Sequence, residues 1–398
     1  MTRAYSDKSR RATLSPTELD ALCLKVRQFI DEVVIPREDL ALAHDVQGLD
    51  RVTRELRQQA LARGLVSPQL APEHGGLGLS WRECARVFEQ AGRSLLGPGS
   101  MGCAAPDQPN IDTLLHLASP AQRERWLAPL LRGEIRSTFA MTEPAPGVGS
   151  DPRMIRTTAR RDGDGWVLDG HKWFASGAVD AAFAIVVARA PEGVCWFLVD
   201  TTNPGWQLVR NVNSIDGFSH GGHGEIRMEG CRVAADALIG EAGKGFDYAQ
   251  LRLEGARLFH CMRGTGLAAR AMEIAQDYVA RRESFGAPLV DHQLVQAMAA
   301  DSHIDLYAAR LMTTDVARRL DEGESIRHYG SMAKVFVSEA LNRIVDRAAQ
   351  MTGALGMSED TPISMIVRKL RPFRIYDGAS EVHRSAIGKR IFQKGVQP

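Results

Sequence analysis

The spacing of apolar residues changes period twice along this chain, and that order of textures restricts the fold more than any other feature. From about Leu14 to Ile135 the spacing is helical. Ser15-Pro16-Thr17-Glu18 offers a capping serine, a first-turn proline and a glutamate three residues on, which predicts a helix start. Leu19, Leu22, Val26 and Ile30 then recur on one face. Gly64-Leu-Val-Ser-Pro and the glycine-rich stretch 74–80 break the pattern, and helical texture returns over 81–92 and 121–131. Between about Ser137 and Ala242 the runs shorten. Gly165-Trp-Val-Leu-Asp-Gly, residues 183–189 and residues 194–200 are β-rich and bounded by Gly, Pro or Asp. From about Gly243 the helical period resumes. Residues 251–278 have few breakers, and Ile304, Tyr307 and Leu311 fall at helical spacing within 291–320. The expectation is an α+β protein: an N-terminal α-helical domain over 1–135, a middle β-barrel or sandwich domain over 136–245, and a C-terminal four-helix-bundle domain over 246–398.

Composition narrows the function. The 398 residues carry 49 basic and 48 acidic side chains, a formal net charge of +1. No general attraction to nucleic acid or acidic membranes follows. Arg252 with Arg257, and Arg368-Lys-Leu-Arg371, are short clusters that suit a solvated face or a local anion site. Six cysteines are scattered without a Cys-x-x-Cys pair, so neither a zinc site nor a disulfide framework is expected. His220 and His223 flank Gly221-Gly222; a metal pair is one reading, a glycine turn with polar side chains the plainer one. No Gly-x-Gly-x-x-Gly joins a strand to a helix, so a Rossmann site is not supported. The N-terminus lacks an apolar targeting core and no run of about 18 apolar residues occurs, which predicts a cytoplasmic protein with no membrane span.

One carboxylate stands out. In Arg374-Ile-Tyr-Asp-Gly-Ala-Ser-Glu-Val-His-Arg384, Asp377 lies against Gly378, which leaves room for a ligand to approach. In a dry site such a group can take a proton from carbon. The same string also fits a helix cap, with Asp377 as cap and Glu381 reaching back.

Four further stretches decide the context: Ala104-Ala-Pro-Asp-Gln-Pro-Asn110, Phe139-Ala-Met-Thr-Glu-Pro144, His220-Gly-Gly-His-Gly-Glu-Ile226 and Arg257-Leu-Phe-His-Cys-Met-Arg263. Their order and spacing resemble the acyl-CoA dehydrogenase family over roughly Leu14 to Phe392, and within it the branch of family members ten and eleven. The resemblance implies FAD held between the β domain and the C-terminal bundle. It implies α,β-dehydrogenation of an acyl-CoA thioester to the trans-2-enoyl-CoA, as in fatty-acid β-oxidation: a carboxylate removes the α-proton and flavin N5 accepts the β-hydride. Tyr376-Asp-Gly-Ala-Ser380 matches the family's Tyr-Glu-Gly-Thr-Ser, so Asp377 falls on the general base. Aspartate is shorter than glutamate by one C–C bond, about 1.5 Å. Some relatives carry the base immediately before Arg257, where this chain has Ala256; Glu254 is nearby but out of register.

The remaining roles are carried over the same way. Phe139, Met141 and Thr142 resemble the first flavin segment, with Thr142 at the pyrimidine edge. In Gly170-His-Lys-Trp-Phe-Ala-Ser-Gly177, Phe174 would pack on the flavin ring and Ser176 would bond N5, while one of Trp173 and Phe174 should be core. Arg282, Phe285 and Gln293 resemble a segment reaching the FAD of a neighbouring subunit, and Gln350 and Gly353 lie along the same dinucleotide, although Ala354 replaces a family glycine. Ala379 and Glu381 join the cofactor contacts. Ser150, Arg257 and Gly378 are the substrate-side residues, Ser150 lying in Ala145-Pro-Gly-Val-Gly-Ser-Asp151, a connection longer than the family's usual one. The implied partners are an acyl-CoA, an electron-transfer flavoprotein as acceptor, and further copies of the chain in a homodimer or homotetramer. A flavin oxidase or monooxygenase resembling nitroalkane oxidase, which also uses an aspartate, is the alternative enzyme; a scaffold without cofactor is the non-catalytic one.

Overall fold

The computed structural model describes residues 13–38, 45–217, 219 and 221–394. The main helices before the strands are α1 (Pro16–Phe29), α2 (Val46–Ala62), α3 (Trp81–Ala91) and α4 (Asp107–Leu117). The strands are β1 (Ser137–Ala140), β2 (Thr158–Asp162), β3 (Gly165–Ser176), β4 (Phe183–Ala190), β5 (Gly193–Asp200), β6 (Trp206–Asn211) and β7 (His223–Val233). Then come α5 (Gly245–Arg281), α6 (Gln293–Asp321), α7 (Tyr329–Thr352), α8 (Ile363–Leu370) and α9 (Ser380–Lys394). The chain divides into two compact units. A helical unit comprises Met1–Leu40, Gln58–Met101 and Ala256–Pro398; a sheet unit comprises Ala41–Arg57 and Gly102–Gly255.

In the sheet unit the seven strands form one sheet, ordered β1-β4-β2-β3-β7-β6 with β5 paired to β4. β4 and β5 are antiparallel and buried along nearly their whole length, so they read as continuous apolar runs instead of alternating ones. The core gathers Trp166, Leu168, Val186, Phe197, Ile226 and Met228. β3 pairs with β7, but its register slips between Lys172 and Ala175, where one extra residue enters the strand. That bulge overturns the expectation that Trp173 or Phe174 is core. Alternation fails there: Lys172 and Ala175 turn inward, Trp173 is half-buried, and Phe174 stands 43% exposed with φ of +49°.

In the helical unit, α5 to α8 surround a core that includes Leu267, Met272, Leu306, Val337, Leu341, Ile366 and Phe373. α1 starts on the expected capping box, with both reciprocal Ser15–Glu18 bonds made. The helical spacing of Ile304, Tyr307 and Leu311 holds on α6, but their stripe is not the one that is buried. Ile304, Tyr307 and Leu311 are exposed, while Ser302, Leu306, Ala309, Thr313, Val316, Ala317 and Leu320 are buried. The helix carries two stripes, and spacing alone cannot say which one meets the core. α3 and α5 approach so closely that a Cβ at Gly266 would strike the carbonyl of Glu89, which is backbone and cannot move aside. Gly266→Ala should therefore lower stability by about 1–3 kcal/mol, read as a shifted midpoint in urea denaturation.

Candidate active site

Asp377 lies between the short turn Arg371–Arg374 and α9. Its φ is +56° and that of Gly378 is +97°, so two consecutive residues are left-handed. Asp tolerates this region better than most residues. Gly378 is required twice over, because a Cβ there would also come within 2.7 Å of His383 Nε2. The cap reading of Asp377 is corrected. α9 starts at Ser380, the His383 amide donates to the Ala379 carbonyl at 3.1 Å, and a capping residue needs extended backbone that Asp377 lacks. Glu381 is exposed in the first turn of α9.

Three side chains hold this turn by its main chain. Arg257 Nε donates to the Asp377 carbonyl at 2.8 Å, and His383 Nε2 donates to the same oxygen at 3.1 Å. Lys334 Nζ donates to the Gly378 carbonyl at 2.7 Å. Arg257 comes from α5, Lys334 from α7 and His383 from α9. Burial pushes Lys334 down to about 8, against the pull of the Asp377 charge. Burial, then the Arg257 charge, push His383 down to about 4, so its ring is neutral at pH 7. The carboxylate itself is left free for chemistry: Oδ2 is buried and makes no hydrogen bond, and His260 Nε2 stands 3.5 Å away. Buried polar atoms without a partner are costly and concentrate at functional sites. His260, Lys334 and His383 were not singled out from sequence. A signal for Lys334 existed: it occupies the apolar stripe of α7 that continues with Val337, Leu341 and Ile344.

The sheet unit brings the two flavin-like segments side by side. The Trp173 amide donates to the Thr142 carbonyl at 3.0 Å, and Thr138 Oγ1 donates to the Ser176 carbonyl at 2.8 Å. Beneath them, fully buried Lys172 donates to the Met141 carbonyl at 2.9 Å and to Glu143 Oε1 at 2.8 Å. Glu143 also accepts from the amides of Val148 (3.2 Å), Arg156 (2.8 Å) and Thr157 (2.9 Å) and from Thr157 Oγ1 (2.6 Å). The long connection after Pro144 closes over this carboxylate, with Val148 buried inside and Ser150 exposed. Ser176 Oγ lies 3.0 Å from His223 Nδ1, and His223 Nε2 lies 3.2 Å from Asp216 Oδ1. His223 is thus bonded within the protein; His220 lies outside the described residues. Among the described residues no group of three or more His, Cys, Asp or Glu is placed to hold a metal, and no helix is long and apolar enough to cross a membrane.

The acyl-CoA dehydrogenase N-terminal, middle and C-terminal domains match residues 16–134, 138–231 and 243–392. The chain belongs to the acyl-CoA dehydrogenase family. Its members are oxidoreductases whose cofactor is FAD. "Probable acyl-CoA dehydrogenase FadE2" of Mycobacterium tuberculosis is 38% identical over 349 residues, 85% of each chain. Acyl-CoA dehydrogenase family member 11 of Mus musculus is 35% identical over 93% of this chain, which spans 50% of that relative's length. Among solved structures, a Mycobacterium abscessus protein described as an acyl-CoA dehydrogenase superposes with a TM-score of 0.89 at 34% identity, covering 97% of this chain and all of the other. Glutaryl-CoA dehydrogenase from Mycobacterium smegmatis gives 0.84 at 26% identity, covering 97% and 96%.

The sheet unit's residues fit FAD of this family. Thr142 and Ser176 carry hydroxyls and Phe174 turns its ring outward, the kinds of donor and stacking group that an isoalloxazine requires. Phe139 contributes differently: Arg252 lies over its ring at 3.9 Å and is itself bonded to Asn110 Oδ1, so the ring is packed within the unit. Elsewhere, Arg282, Phe285 and Gln293 stand exposed, Phe285 at 95%, around a separate short hairpin, Glu283–Ser284 paired with Ala287–Pro288, that precedes α6. Gln350 and Gly353 are exposed at the end of α7, and Ala379 is half-buried.

Two predictions concern these charges. Burial alone would raise Glu143, but Lys172 and the Thr157 donors hold it at about 2, below its ordinary 4.5. Its stabilising contribution is complete above 4.5 and is lost as pH falls toward 2. Glu143→Gln leaves Lys172 buried and unpaired and should cost about 3–5 kcal/mol near neutral pH, measured by denaturant titration. His383 works the opposite way to a paired histidine: the unfolded chain takes up a proton below its ordinary 6.5 while the folded ring resists until about 4. Stability should therefore fall as pH drops from 6.5 to about 4, by up to about 3 kcal/mol at about 1.4 kcal/mol per unit. His383→Gln should flatten that part of the stability–pH curve.

Proposed function

We propose that the chain oxidises an acyl-CoA thioester to the trans-2-enoyl-CoA, with Asp377 as the general base. The observation that supports this reading most is the buried, unbonded Asp377 Oδ2 on a turn whose carbonyls are gripped by Arg257, His383 and Lys334. When bound, FAD would supply the acceptor for the β-hydride. Asp377 takes the α-proton onto a carboxylate oxygen. Its shorter side chain gives its oxygens less reach than a glutamate's, so their position follows from the main chain, which the three donors fix. Thr142 and Ser176 orient the cofactor with their hydroxyls, and Phe174 covers part of its ring. Arg257 serves the site as a main-chain anchor for Asp377, and Gly378 leaves the approach beside it open.

The acceptor of the electrons is proposed to be an electron-transfer flavoprotein. The proposed active form is a homo-oligomer, a reading supported by the exposed apolar side chains Phe285, Leu294, Ile304, Tyr307 and Leu311 on and before α6.

Asp377→Asn should retain bound FAD, seen in its visible absorbance, and lose about a hundred- to ten-thousandfold in turnover. Near-normal turnover would remove Asp377 from the role. Anaerobic bleaching of the flavin across a panel of acyl-CoA thioesters identifies the substrate. Slow reoxidation of the reduced enzyme by air is expected; rapid reoxidation without a protein acceptor would mark an oxidase instead.

A further inference from the structure

His260 lies one turn beyond Arg257 on α5, and its ring faces the carboxylate that the mechanism uses. His260 Nε2 is 3.5 Å from Asp377 Oδ2, the buried oxygen that makes no hydrogen bond. The other ring nitrogen is occupied. Arg263 Nη2 lies 3.3 Å from Nδ1, and the Tyr376 hydroxyl 3.4 Å from it. A guanidinium has donors only, so Nδ1 must accept. A neutral imidazole whose Nδ1 accepts carries its proton on Nε2. The N–H therefore points to the Asp377 side. The ring is also held in place: its centroid is 4.7 Å from that of Tyr376 and 5.7 Å from that of Phe373.

We infer that His260 is a positioning residue for the general base, presenting its Nε2–H to Asp377 Oδ2 so that the carboxylate is held in one orientation for α-proton removal. The inference rests on Asp377 being that base. The other charged or titratable groups around this pair are Arg257 and Arg263 on α5, Lys334 on α7, His383 on α9 and Tyr376 in the turn itself. Of these, Arg257, Lys334 and His383 bond main-chain carbonyls, while the imidazole nitrogen of His260 faces the carboxylate oxygen itself. The carboxylate gains the α-proton and the substrate carbon keeps the electron pair. His260 gains and loses nothing in that step; it acts by holding the acceptor.

The test separates proton removal from oxidation. The FAD-loaded enzyme is incubated in D2O with a medium-chain acyl-CoA analogue in which sulfur replaces the β-carbon, so that no β-hydride can leave. Deuterium uptake at the α-carbon is followed by mass spectrometry across pH. His260→Leu, which keeps bulk but no donor, should exchange at least about tenfold more slowly. His260→Gln, which keeps an N–H donor that does not titrate, should stay within about threefold of the parent. Parent-like exchange in His260→Leu would overturn the inference, as would a Gln variant as impaired as Leu. Asp377→Asn run alongside distinguishes the two ideas: exchange surviving in that variant would overturn the base assignment itself. Circular dichroism and flavin content establish that each variant is folded. If the Leu variant does not fold, the Gln variant decides: tenfold loss there rejects the donor role, and parent-like exchange supports it.

Discussion

The candidate site depends on how two adjacent peptide carbonyls, those of Asp377 and Gly378, are satisfied. A left-handed pair of residues turns these groups away from any regular ladder, and a buried carbonyl without a donor is costly. Arg257, His383 and Lys334 supply the donors from three different helices. The result is a turn that cannot relax without breaking three hydrogen bonds, two of them charge-assisted. Asp377 Oδ2 makes no hydrogen bond in this arrangement, which is what leaves it available.

The sheet unit repeats this logic with different parts. Lys172 and Lys334 both have fully buried side chains, and each donates to a main-chain carbonyl next to a residue assigned a role in the proposed chemistry. A buried ammonium is expensive to desolvate, and burial has pushed both to about 8. Glu143 offsets that cost for Lys172, and its remaining lone pairs are filled by Val148, Arg156 and Thr157. The connection after Pro144 is therefore organised around an internal anion, with Val148 buried against it.

Local signals were the legible ones. The Ser15–Glu18 capping box is made as read because its two bonds involve residues three apart. The change from helical to strand period, and back, survives in the element order for the same reason. Three things were not readable. The bulge at Trp173 and Phe174 depends on register against β7, which a single strand does not contain. The covered side of α6 depends on which of two apolar stripes α7 meets. The neighbours of Asp377 lie on α5, α7 and α9, up to 120 residues away in sequence, so only the whole fold brings them together. The cap reading of Asp377 failed on φ, a quantity the string Asp-Gly-Ala-Ser-Glu leaves open because the same letters fit a cap or a left-handed turn.

The positive φ at Asp377 makes the amino acid and the backbone a matched set. Short polar residues whose side chains bond locally visit this conformation more readily than longer ones. Glutamate lacks that ease, so at this position chain length and backbone preference select in the same direction. A glutamate at this position would have to solve two problems together, the reach of the carboxylate and the conformation of the residue that bears it. Asp377→Glu is thus a change of turn as much as of side chain.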